Sequence, residues 1–254
     1  GLVGKKAVNP KIADLNEPYK QLDQLLQSDD FLKFMSAITK IPELLYDAEY
    51  IGGGTHENLE GQDLDPHVDF NYHPSTKWHR RLNLLIYLNR EWEESWGGNI
   101  ELHLDPWNSD LDKVQSVMPL MNRCVIFETS EKSYHGFKKI KLPEDKRNFS
   151  RKSIAVYFYT KDRPMSEIQP EHSTFYVPRP VPEHIREGYT LNENDVQQLK
   201  DLLTRRDHWL KFLYDRELHF SSEFGMLSEK LSELQKRGKT YQFLSRLIGR
   251  SAKK

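Results

Sequence analysis

The chain has 254 residues, 37 Lys and Arg against 38 Asp and Glu, 37% hydrophobic residues and one cysteine. A formal charge of −1 gives no basis for nucleic-acid binding driven by phosphate neutralisation, and one cysteine excludes an internal disulfide. The length suffices for one large core with an appendage, and no apolar run approaches the roughly 20 residues of a bilayer span. No charged-then-apolar leader opens the sequence, so a soluble, cytoplasmic protein is expected. Residue 1 is glycine rather than methionine, which leaves room for native elements before it.

Residues 1 to 47 read as helical support. Leu22, Leu25 and Leu26 recur at helical spacing, Ser28 can cap a second helix, and Phe31, Phe34, Met35 and Ile38 make its stripe. From about Glu49 short strands punctuated by glycine take over. Tyr50-Ile51 with the turn Gly52-Gly53-Gly54 leads into the His67 segment. Then come Leu82–Leu88, Asn99–Leu104, Lys113–Met118, Arg123–Phe127, a strand near His135, and Ser150–Thr160. Helices gathered at one end of many short strands predict an α+β chain that is mainly β, with a double-stranded β-helix (jelly-roll) core. Cys124 opens the apolar run Cys124-Val125-Ile126-Phe127 and reads as a small buried hydrophobe.

The chemistry gathers in Asp65-Pro66-His67-Val68-Asp69. On an extended segment His67 and Asp69 project from one face while Val68 turns into apolar packing. With a distant second histidine, for which His135 is the candidate, they would make the three-ligand face of a non-haem iron(II) site. The chain holds a second His-x-Asp, His103-Leu104-Asp105. His103 sits where Ile100, Leu102 and Leu104 alternate with polar residues, and it reads as a surface histidine. In the last strand Arg151, Ser153 and Ala155 share one face and Ile154, Val156 and Phe158 the other. Arg151 is therefore the candidate anion clamp, Ser153 can add a hydrogen bond, and Ala155 leaves room for a bound acid. By the same parity Leu82, Leu84, Ile86 and Leu88 face the covering helices, while Asn83, Leu85 and Tyr87 look inward. His56, His73, Trp78 and His79, with Asn71 and Tyr72, fall in loops expected to flank a barrel mouth. Arg80-Arg81 could attract an acidic or phosphorylated substrate.

Taken in order, His67-Val68-Asp69, Leu82-Asn83-Leu84-Leu85-Ile86-Tyr87-Leu88-Asn89, Trp96-Gly97-Gly98-Asn99-Ile100-Glu101-Leu102, His135-Gly136 and Arg151-Lys152-Ser153 resemble the prolyl 4-hydroxylase-like branch of the 2-oxoglutarate/Fe(II)-dependent dioxygenases, over roughly residues 48–162. The resemblance implies that His67, Asp69 and His135 bind Fe(II), and that Arg151 holds the distal carboxylate of 2-oxoglutarate with Tyr87 and Ser153 assisting. It implies hydroxylation of an unactivated C–H bond with release of succinate and CO2, with ascorbate a candidate reductant. Arginine at the clamp is more like the bacterial and oxygen-sensing members than the collagen-type animal enzymes, which use lysine. Peptidyl proline, a sugar of a surface polysaccharide and a small metabolite all stay open as the primary substrate. The rival from another class is an inactive barrel that binds a ligand or partner; the three candidate ligands together with Arg151 favour the enzyme.

This reading divides the chain into a barrel domain with its support helices (1–163, core 48–162), a proline-rich linker (164–189) and a helical extension (190–254). Pro164, Pro170, Pro178, Pro180 and Pro182 suit a segment that wraps the barrel or links to the tail. Thr190 and Glu193 fit a capping box, Val196, Leu199, Leu203, Leu210 and Leu213 form a stripe widened by Leu202, Trp209 and Phe212, and a further helix is expected over Glu223–Gln235. Such a stripe could pack on its own domain, join two copies in a homodimer, or dock another protein.

Overall fold

The longest strand, β10 (Arg151–Thr160), runs through the middle of the first of two sheets, and its alternation decides what lies on either side. In this computed structural model residues 7–251 are described, with side chains to residue 239; the first six residues of the expected helical region and the last three of the tail lie outside them. β10 pairs antiparallel with β3 (Gly54–Asn58) and β5 (His79–Tyr87), and β5 pairs with β8 (Cys124–Glu128). The facing sheet joins β4 (Leu64–Val68), β9 (Tyr134–Phe137), β6 (Ile100–His103) and β7 (Val114–Val117) in that order. The eight strands β3 to β10 thus cross back and forth between two antiparallel sheets, except at the β6–β7 hairpin, which stays within the second; this is the connectivity of a double-stranded β-helix. Two short strands extend the first sheet, β1 (Ala7–Asn9) on β3 and β2 (Leu45–Tyr46) on β10, in a region that reads as purely helical in the sequence. Tyr50-Ile51 is not a strand; it lies at the turn that delivers the chain into β3.

Two helices cover the outer face of the first sheet. α1 (Glu17–Leu26) starts at Asn16, whose side chain accepts from Tyr19 N–H. α2 (Asp29–Thr39) starts at Ser28, which accepts from Phe31 N–H as its position predicts. Leu26 and Met35 pack on Leu82, Leu84, Ile154, Val156 and Phe158, all buried. Each side chain so buried contributes roughly 1.5–3 kcal/mol. The stripe of α2 lies about one residue from the expected one. Phe31, Leu32 and Met35 make the contact, while Phe34, Ile38 and, on α1, Leu25 stay exposed. The helix presents only a narrow face to a pleated sheet, so one turn's worth of apolar residues exceeds what the sheet covers. Cys124 is exposed at the very start of β8, correcting its reading as a core residue.

The chain divides into two compact units, Gly1–His184 and Ile185–Lys254. The proline-rich stretch belongs in large part to the first. Within it β11 (Phe175–Tyr176) adds a strand to β4 and wraps the barrel. The second unit is built on one helix, α3 (Glu193–Ser251), with no break before residue 223. Its N-cap is Asn192, whose side chain accepts from Asp195 N–H while Asp195 accepts from Asn192 N–H, a reciprocal box that displaces the expected Thr190/Glu193 pair. Among the described residues no helix is long and apolar enough to cross a membrane.

Candidate active site

β4 and β9 are antiparallel neighbours whose register shifts between Leu64 and His67, and His67 lies directly opposite His135. The close approach requires Gly136. A Cβ there would stand 2.6 Å from Leu64 O and 3.0 Å from Pro66 N, so any side chain would push the two strands apart. Asp69 follows β4 at the same parity as His67. The result is a cluster in which one ligand atom from each of His67, Asp69 and His135 lies within 4.8 Å of the others. His67 Nε2 is 3.5 Å from Asp69 Oδ1, and His135 Nε2 is 3.3 Å from Asp69 Oδ2. His67 Nδ1 lies 3.0 Å from Asp65 O, and His135 Nδ1 lies 2.9 Å from Ser133 O. Each ring therefore has its Nδ1–H spent on a carbonyl, which turns both Nε2 atoms toward one vertex. Burial, and after it the neighbouring His135, lower the pKa of His67, which keeps it in the neutral form that ligation requires.

Asp69 is held by a second ring of groups. Its Oδ2 accepts from Arg80 Nη2 at 2.9 Å and from Asn83 Nδ2 at 2.8 Å, and Arg80 Nε in turn donates to Asn83 Oδ1 at 3.0 Å. Burial acts to raise the Asp69 pKa, but Arg80 and then His135 outweigh it and hold the carboxyl well below its ordinary value. Arg80 is itself buried, its guanidinium 3.5 Å over the Tyr157 ring and 4.6 Å from that of Phe70. In the sequence Arg80-Arg81 reads as a pair that could attract an acidic substrate. Neither residue is exposed, and Arg81 turns to Glu128 and Glu167. The cause is a β-bulge. Register slips between Phe158 and Tyr159, so Phe158 faces Leu82 but Tyr159 faces Arg80, and Arg81 drops out of the ladder. Strict alternation back from Tyr87 brings Arg81 to the inner face; the bulge substitutes Arg80.

A cavity of about 230 Å³ extends from the triad into the barrel and reaches Arg151 and Ser153. Arg151 Nε donates to Gly98 O at 2.5 Å and its Nη2 donates to the Tyr87 hydroxyl at 3.1 Å. The glycine pair of the sequence motif acquires a physical reason here. Gly98 has φ +68°, and a Cβ would lie 3.2 Å from Arg151 Cδ, so the carbonyl that steers the guanidinium can come this close only from glycine. Tyr87 and Ser153 are cross-strand partners, both buried. Burial raises the Tyr87 pKa, with Arg151 opposing, so the hydroxyl keeps its proton while accepting from the arginine. Burial likewise works against the charge on Arg151, and among the described residues no carboxylate lies within ion-pair distance of it. A buried cation without an acid is costly unless an anion arrives from outside. The residues present thus fit both groups that the resemblance implies. Three neutral or anionic donors share a vertex for Fe(II), and a cation faces the same cavity for the far carboxylate of 2-oxoglutarate.

Other candidates separate. His56 lies on β3, not in a loop, and lines the cavity. His73 is a buried structural group 3.4 Å from Asp47, its Nδ1 accepting from the N–H groups of Ser75 and Thr76. His103 is not at the surface: its side chain is 7% exposed between Glu101 and Asp112, and Asp105 joins it in no metal-binding group among the described residues. Tyr176 on β11 stacks on His67 with ring centroids 5.1 Å apart, and Phe127 covers His135 at 4.7 Å. Nothing in the short Phe175-Tyr176 segment has the alternation that would reveal a strand.

Fold and site together supply the donor set and the cavity cation that a 2-oxoglutarate/Fe(II) oxygenase needs. Residues 53–159 match the family model of the 2OG-Fe(II) oxygenase superfamily. The chain is 27% identical over 179 residues to the prolyl 3-hydroxylase OGFOD1 of Mus musculus, covering 62% of this chain but only 30% of that relative. Solved structures similar to it include a Pseudomonas putida prolyl-4-hydroxylase (15% identity, TM-score 0.42, 62% of this chain and 71% of that one). Another is a Trichoplax adhaerens prolyl hydroxylase in complex with a hypoxia inducible factor oxygen degradation domain peptide fragment (18% identity, TM-score 0.41, 63% and 64%).

Proposed function

We propose that this protein hydroxylates an unactivated C–H bond, with peptidyl proline the first substrate class to test, and turns 2-oxoglutarate into succinate and CO2. The observation that carries this reading is the acid-free, buried guanidinium of Arg151 in the cavity that also contains His67, Asp69 and His135. When bound, Fe(II) would supply the site at which dioxygen and the keto acid meet, held by His67, Asp69 and His135. The chain's own residues do the rest. The carbonyls of Asp65 and Ser133 hold the Nδ1 side of both imidazoles, so that both Nε2 atoms face the metal vertex. Arg80 and Asn83 keep Asp69 ionised and orient it through Oδ2. Arg151 forms the charged end of the cavity, and the Tyr87 hydroxyl, which accepts from Arg151, has its proton left to donate to a carboxylate there. Tyr176 and Phe127 each cover one imidazole ring and keep water from it. The similarity to a prolyl 3-hydroxylase supports proline as the first target.

Anaerobic titration of the protein with Fe(II) and 2-oxoglutarate is expected to produce a weak visible charge-transfer band. Its absence in the wild type would remove the reading. A mass-spectrometric screen for the gain of one oxygen across proline-containing peptides, sugars and metabolites then identifies the acceptor.

A further inference from the structure

The apolar residues of α3 follow a pattern that a helix packed against a globular surface does not need. From residue 196 to residue 234 one set of them alternates at spacings of three and four, with Leu202, Trp209, Phe212, Leu218 and Met226 lying beside it. Val196, Leu199, Leu203, Leu210, Leu213, Phe220, Phe224, Leu227, Leu231 and Leu234 fill ten of the twelve a and d places of a continuous heptad frame. Eight of the ten, from Leu203 to Leu234, are at least 50% exposed. A strict seven-residue repeat drifts by about 20° per heptad on a straight helix, so over five heptads the stripe winds by about 100°. Only a partner that supercoils with it stays in contact throughout.

The two exceptions identify that partner. Arg206 stands at a d place and Glu217 at an a place. In a parallel, in-register pair of identical helices every core residue faces its own copy. Arg206 would then meet Arg206 and Glu217 would meet Glu217, two like-charge contacts in an apolar seam. In an antiparallel pair a places face d places. The register that sets Arg206 against Glu217 of a second copy also sets Val196 against Leu227, Leu199 against Phe224, Leu203 against Phe220 and Leu210 against Leu213. Every other layer in this overlap is then apolar on apolar, and both charges are compensated twice over by the two-fold axis. The same register brings Trp209 beside Arg216 and Asp207 beside Tyr214, a cation over an aromatic face and a carboxylate within reach of a phenol. We propose that α3 pairs antiparallel with α3 of a second copy of this chain, in the register fixed by Arg206 and Glu217.

Charge exchange on the full chain tests both partner and register, read by light scattering and sedimentation equilibrium. The wild type is expected to have the mass of a dimer. Arg206→Glu and Glu217→Arg each place two like-charge pairs in the seam and should weaken association by at least about tenfold, while the double exchange R206E/E217R should restore it. A wild-type monomer at micromolar concentration, or an assembly larger than a dimer, overturns the proposal. So does a dimer that tolerates both single exchanges, which a parallel pair would do, or one that the double exchange fails to rescue. Far-UV circular dichroism at matched concentrations separates loss of association from loss of folding, because the barrel's strand signal persists in the first case only.

Discussion

Replacing Arg151 by methionine should move affinity and stability in different directions. The side chain of methionine fills much of the same volume without charge. In the free protein the change leaves no acid stranded, because none pairs with Arg151. It loses the hydrogen bonds to Gly98 O and the Tyr87 hydroxyl, at 2.5 and 3.1 Å, which costs about 1–3 kcal/mol for the carbonyl left unsatisfied. It also removes a desolvated cation, which returns several kcal/mol. The two nearly cancel, so thermal stability should stay within about 2 kcal/mol of the wild type or rise. In the complex the balance is different. Truncating one partner of a buried guanidinium–carboxylate pair costs about 3–5 kcal/mol, or roughly two to four orders of magnitude in the dissociation constant of 2-oxoglutarate. Anaerobic calorimetric titration with 2-oxoglutarate in the presence of Fe(II), alongside thermal melts of the protein alone, measures both quantities. A variant that binds 2-oxoglutarate within about threefold of the wild type would refute the assignment of Arg151. A variant that simply unfolds would refute the claim that its charge is uncompensated.

Further outcomes follow from the same geometry. Asp69→Ala should abolish iron-dependent succinate formation and lower stability by about 3–5 kcal/mol, because Arg80 loses its counter-charge; Asp105→Ala should spare succinate formation, as chemical denaturation and a succinate assay will show. Gly136→Ala should weaken iron binding in a metal titration, since its Cβ would part β4 from β9 where His67 faces His135. At His103 burial, the largest influence, lowers the pKa, but Glu101 and Asp112 together raise it above the ordinary value of about 6.5. A raised value in the folded state stabilises fully below about pH 6.5 and fades as the pH climbs through the folded pKa. Asp112→Asn should therefore lower the stability to chemical denaturation below pH 6.5 by on the order of 1 kcal/mol, and have progressively less effect at alkaline pH.

Period-two alternation carried most of the fold, because a strand buried on both faces still has to sort its residues between a helix-covered side and a cavity. Arg151, Ser153 and Ala155 on one side of β10, and Ile154, Val156 and Phe158 on the other, lie as that alternation requires. The convergence of His67, Asp69 and His135 was legible from motif order. What escaped depends on events that alternation cannot see. The slip in β5 exchanges Arg80 for Arg81, so the group that holds Asp69 looked like part of a solvent-facing basic pair. β11 is two residues long and flanked by prolines; its pairing is dictated by the open edge of β4, not by its own composition. His103 resembled a surface histidine because the carboxylates around it come from Glu101 on its own strand and from Asp112 in the following loop.

The hydrogen-bonding of β11 to β4 also fixes where the catalytic unit can be cut. A fragment stopped at Thr160, where the last barrel strand finishes, would leave the backbone of Val68 and His67 without its neighbour and lay one imidazole face bare to solvent. The smallest piece worth expressing for metal-binding work therefore runs through His184, and shorter fragments should be sticky at that margin and oxidise their iron quickly.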